Sequence, residues 1–144
     1  MQLRIEYKED SLPKEFAYWL IKKIQTLIVA NIDTKQVSKF DKYLNENSIF
    51  ETTYLKEIST RNIIEQASNN MEVSESENQY TIQINQNMMV IGLDRVKLTT
   101  AFKLINYGNS DIKGYPIFTD IFNMIADNIN TYVEIYFKFQ TRSE

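Results

Sequence analysis

The chain has 144 residues, a net charge of -3, 43% hydrophobic and 24% charged side chains, and no Cys or His. Those values fit one globular domain and exclude a disordered or collagen-like chain, disulfides, thiolate-held zinc, His-held haem, Cys nucleophiles and His-based triads. The negative charge argues against a dedicated polyanion binder, and no apolar run nears the ~18 residues that a membrane span needs. The opening residues Met1 to Tyr7 lack the apolar core and cleavage site of a signal peptide.

Leu3, Ile5 and Tyr7 alternate with Gln2, Arg4 and Glu6, which predicts a half-buried strand ended by Lys8-Glu9-Asp10. Ser11 as N-cap and Pro13 in the first turn open a helix over Leu12–Ala30. Its stripe is Phe16, Trp19, Leu20, Ile24, Leu27 and Ile28, with Phe16 and Trp19 expected in the core. A second helix starts at Asp33 or Thr34, buries Val37, Phe40 and Leu44, and stops at Asn45–Ser48. Ile49–Tyr54 reads equally as strand or loop. Ile58, Ile63, Ile64 and Ala67 predict a third helix ending near Ser68-Asn69-Asn70.

The polar window Glu72–Asn78 reads as an exposed loop or hairpin tip. Tyr80, Ile82 and Ile84 alternate as a strand, Asn85-Gln86-Asn87 supplies a turn, and Met88–Leu93 suits the returning strand. Asp94 caps a helix carrying Val96, Leu98, Ala101, Phe102 and Ile105, closed by Gly108 at positive φ. Pro116 precedes a further helix through about Asn130. The β-rich tail Tyr132–Phe139 is favoured as a final strand over a continuation of that helix. The expected fold is α+β: residues 1–144 form a single domain, with a small antiparallel sheet packed against several helices.

Chemistry-bearing motifs are sparse. Glu72, Glu75 and Glu77 lack the ordered spacing of a calcium loop and read as a solvated segment, so no metal site is expected. There is no glycine-rich phosphate cradle. Ser38 and Lys39 are neighbours on one helix and point apart, so they make no nucleophile–base pair. Lys22, Lys23, Lys35, Lys39 and Lys42 read as a solvated basic face rather than a nucleic-acid stripe. Neither catalytic residues nor a cofactor are therefore expected.

Aromatic residues carry the functional expectation. Tyr107 and Tyr115 flank the loop between Gly108 and Pro116, and Tyr132, Tyr136 and Phe139 fall in a tail whose aromatics occupy both faces. A two-sided apolar segment is either core or interface, and the tail fits both. The candidate interface is Tyr107, Gly108, Tyr115, Pro116, Tyr132, Tyr136 and Phe139.

From Lys97 to Asn130 an apolar element leads into Asn106-Tyr107-Gly108-Asn109, then a short loop, then Gly114-Tyr115-Pro116-Ile117-Phe118 opening a helix. This order resembles the tail-completion (head–tail joining) proteins of tailed phages. Those chains are similar in length and carry an aromatic-acid-x-Gly-Thr step and a Pro-Phe step. The present chain departs from the pattern at Asn106, at Asn109 and at Ile117, which is inserted into the Pro-Phe step. The resemblance implies a non-enzymatic virion protein that forms rings through homo-oligomeric contacts or contacts with other virion proteins, with no nucleic acid or membrane partner. The alternative from the residues alone is a small intracellular inhibitor that binds one protein, of the immunity or anti-defence kind.

Overall fold

The structure is a computed structural model and describes residues 2–46, 59–85 and 95–143. In chain order the elements are β1 (Gln2–Glu6), α1 (Lys14–Ala30), α2 (Thr34–Glu46), α3 (Thr60–Asn69), β2 (Met71–Ser76), β3 (Gln79–Ile84), α4 (Arg95–Tyr107), α5 (Ile117–Asp127) and α6 (Ile129–Ser143). The fold is α+β, as its patterning predicts. The Ile49–Tyr54 segment, the returning strand Met88–Leu93 and the Asp94 cap lie outside the described residues.

Alternation sorts the sheet into two unlike faces. β3 lies in the middle, antiparallel to both neighbours, in the order β1-β3-β2. Leu3 and Val73 flank Ile82, Ile5 faces Tyr80, and Met71 faces Ile84, so one face is apolar except at its hairpin end, where the exposed Glu75 pairs with Tyr80. α1 and α5 pack against the sheet. The opposite face is entirely polar: Gln2, Gln83 and Glu72 form one row, Arg4, Thr81 and Ser74 the next, and Glu6, Gln79 and Ser76 the third. Side-chain amides tie the first row together, with Gln2 Nε2 donating to Gln83 Oε1 at 3.0 Å and Gln83 Nε2 to Glu72 Oε1 at 2.9 Å.

Under the apolar face sits the core. Phe16, Leu20, Ile24 and Ile28 of α1, Phe40 and Leu44 of α2, Ile63 and Ile64 of α3, and Phe118 of α5 are wholly buried. Phe102 of α4 meets Phe118 edge-on, with ring centroids 5.1 Å apart. Trp19 is only half-buried, stacked on Phe16 at 5.8 Å.

Local chemistry sets the element ends, and four differ from the sequence expectation. Ser11 does not cap α1: its hydroxyl donates to Lys8 O at 2.6 Å in a tight turn, and Pro13 occupies the cap position without a side-chain bond. Glu72–Ser76 is strand β2 rather than loop, because Met71 and Val73 reach the core face while their polar neighbours face solvent. Only Glu77 and Asn78 make the hairpin turn, Asn78 adopting φ 54°.

The third and fourth differences are at the C-terminus. Tyr132–Phe139 is helical, not a strand, and α5 ends at Asp127 rather than near Asn130. Ile129, Tyr132, Val133 and Tyr136 recur at helical spacing and pack on the body, which outweighs the β-rich composition. Asn128 separates the two helices: its N–H donates to Ile125 O at 3.1 Å, while its carbonyl accepts from Thr131 N at 3.0 Å and opens α6.

α3 receives its cap from two places. Ser59 Oγ accepts from Asn62 N, and Asp41 of α2 accepts from Thr60 N at 2.7 Å. A carboxylate at a helix N-terminus also complements the helix dipole.

Tyr80 anchors the sheet to the start of α1, its hydroxyl donating to Leu12 O at 2.8 Å and its ring stacked on Tyr7 at 4.5 Å. Burial, and next the Tyr7 hydroxyl, push the Tyr80 phenol up to about 12 from 10.0. A group with a raised folded-state pKa contributes stability that is intact below the unfolded value and lost as pH climbs through the folded one. The protein should therefore lose about 2–3 kcal/mol between roughly pH 10 and 12 through this residue. Urea unfolding of wild type and Tyr80→Phe across that window measures the loss, and a parallel decline in both proteins would contradict it.

Candidate protein interface

The loop joining α4 to α5 is built by two glycines and one asparagine. Gly108 turns the chain at φ +72°, with its N–H bonded to Leu104 O at 2.7 Å. This is the left-handed closure that the sequence predicts. Asn109 Oδ1 accepts from Asp111 N at 2.8 Å and Ile112 N at 2.9 Å, and Ile112 is buried beneath the loop. Tyr115 N donates to Ile105 O at 2.6 Å, returning the chain to α4.

Four side-chain hydrogen bonds fasten this loop to the first two helices and the connection between them. Tyr115 Oη accepts from Asp33 N at 3.0 Å and donates to Asn31 O at 2.9 Å, bridging the connection between α1 and α2. Burial raises the Tyr115 pKa, opposed by the Asp33 N–H, which favours the phenolate. Lys39 Nζ donates to Lys113 O at 3.1 Å, and Asn109 Nδ2 to Tyr43 Oη at 3.1 Å. The loop is therefore fixed in place rather than left as a free arm.

The seven predicted residues separate into two groups. Tyr107, Gly108, Tyr115 and Pro116 share the loop beside the C-terminal end of α1. Tyr107 is 58% exposed and Pro116 exposed, whereas Gly108 and Tyr115 are half-buried. Tyr132, Tyr136 and Phe139 lie on α6, which packs on α1 and α5. Tyr136 is corrected from interface to core: it is 5% exposed, and its ring meets both Phe16 and Trp19 at 5.4 Å. Tyr132 is half-buried and Phe139 is 56% exposed. Ile135 and Phe137, outside the seven candidate residues, are 44% and 42% exposed. Only the helical reading of the tail sets them outside the buried stripe.

A cleft of about 400 Å³ opens between α2 and the loop, lined by Lys39, Lys42, Tyr43, Glu46 and Asp111–Lys113. Lys39 and Lys42 belong to the basic face recognised in the sequence. Lys113 joins them only through the tertiary fold. Among the described residues, no group of three or more acidic side chains is placed to hold a metal ion, and no helix is long and apolar enough to cross a membrane. No family model matches the chain, and no curated protein or solved structure shows significant similarity to it.

Proposed function

We propose that this protein is a non-enzymatic assembly component that works by binding further copies of itself. A phage or phage-like particle is the setting that the tail-completion resemblance implies. The observation that carries the reading is α6. Its inner side is seated on the body by Tyr136, yet Ile135, Phe137 and Phe139 remain 44%, 42% and 56% exposed on the same helix. Large apolar and aromatic side chains held outward on a packed helix are typical of protein contact surfaces. The residue inventory supports the non-enzymatic part, since it offers neither His nor Cys.

Size-exclusion chromatography with light scattering tests the proposal. Wild type should form a defined oligomer. The double substitution Ile135→Lys with Phe139→Lys should weaken it by about tenfold or more while leaving the circular dichroism unchanged. A wild-type monomer that instead forms a tight one-to-one complex with a different protein would replace this reading with the inhibitor one.

A further inference from the structure

The charges are distributed along α1 in a way that gives the molecule two unlike ends. At the N-terminal end, the β2–β3 hairpin exposes Glu75 near the end of β2 and Glu77 in its turn. Asn78 O accepts from Tyr7 N there, and Glu75 touches Lys14 at 3.5 Å. Glu6, Glu9 and Asp10 are exposed in the same part of the chain, where Lys8 and Lys14 are the only opposing cations from Gln2 to the first turn of α1 apart from Arg4. At the C-terminal end of α1, Tyr115 holds Asn31, and the loop it belongs to forms the lysine cleft. There Lys39, Lys42 and Lys113 face Glu46 and Asp111, an excess of positive charge in a chain whose net charge is -3.

The cleft is preorganised for a negative partner. Lys39 is drawn to the cleft wall, its ammonium donating to Lys113 O at 3.1 Å. Lys42 is only loosely engaged, 4.0 Å from Glu46, with both side chains largely in solvent. Such a contact contributes little and is readily exchanged for another carboxylate. α1 spans 17 residues between the two ends, about 25 Å at 1.5 Å per residue. A hairpin tip is therefore out of reach of the cleft in its own copy and is available to the cleft of the next.

We propose that copies of this chain associate head to tail, the acidic β2–β3 hairpin tip of one seating in the Lys39–Lys42–Lys113 cleft of its neighbour. This adds an electrostatic contact to the α6 surface within the self-association reading and rests on that reading. A head-to-tail contact repeats in one direction and generates a ring where the rotation closes. The attraction is electrostatic and between exposed groups, so it weakens as salt is raised.

Two charge-reversed proteins test it. One carries Glu75→Lys with Glu77→Lys. The other carries Lys42→Glu with Lys113→Glu, leaving the Lys39 bond intact. Each alone should stay folded by circular dichroism and lose the wild-type oligomer by light scattering, its dissociation constant raised about a hundredfold, since like charges then face each other. An equimolar mixture should recover the oligomer, because each tip then meets a cleft of opposite sign. Either variant assembling as wild type does, or a mixture that stays monomeric, overturns this contact and leaves the α6-based reading standing. A monomeric wild type overturns both.

Discussion

Alanine at Gly108 is expected to cost about 2–4 kcal/mol of folding stability, the sum of left-handed strain and a backbone collision. A Cβ there would strike Gly114 N and lie 2.5 Å from Ile112 O, with φ held at +72°. Gly114→Ala separates the two causes. No positive φ is involved at Gly114, but its Cβ would lie 2.5 Å from Tyr107 C and 2.7 Å from Gly108 N. Both contacts are to backbone, so neither can be relieved by a rotamer change. Urea unfolding of both variants should show losses above about 1 kcal/mol. If Gly114→Ala unfolds within 0.5 kcal/mol of wild type, the usual range for neutral surface changes (roughly ±0.5 kcal/mol), the close approach of the two glycines does not constrain the loop.

Phe16→Ala should be the most damaging single truncation in α1, costing about 3–5 kcal/mol. Phe16 is wholly buried and lies against the rings of both Trp19 and Tyr136. For a domain of this size the loss lowers the melting temperature by roughly 6–20 °C. Trp19→Ala removes a larger side chain yet should cost less, about 1–3 kcal/mol, because Trp19 is half-buried and one of its faces carries the Lys23 ammonium at 5.3 Å. Thermal melts of the two variants decide the order. Equal losses would mean that Trp19 contributes as much as Phe16 to holding α6 on α1.

Most of the fold was readable where one face of an element is buried. The alternation of Leu3 and Ile5, the stripe from Phe16 to Ile28, and Phe40 with Leu44 each record a single buried side, and each element forms as its period predicts. The reading failed where a segment's intrinsic preference and its packing disagree. Tyr132–Phe139 is rich in β-formers, but packing on the core rewards the helical spacing of Tyr132 and Tyr136, the latter against Phe16 and Trp19. Glu72–Ser76 looked like a loop because Val73 is its one apolar residue, and with Met71 just before it that is all of β2 that packs on the core. The candidate interface was legible in part. Tyr107 and Phe139 are exposed as expected, but Tyr136 is buried and Tyr115 is committed to Asn31 and Asp33. Nothing local to Lys113 connects it with Lys39, 74 residues earlier. Such a site exists only after folding.

The polar face of the sheet has a practical consequence. Its edge-strand positions Arg4 and Ser74 are exposed, so substitution there should move stability by no more than about 0.5 kcal/mol. Because the chain has no cysteine, Ser74→Cys would introduce a single reactive thiol on a rigid strand. A fluorophore attached at that point would report whether copies approach one another, without competing labels or risk of scrambled disulfides. The polar side of the sheet thus doubles as a built-in attachment point for spectroscopic measurement.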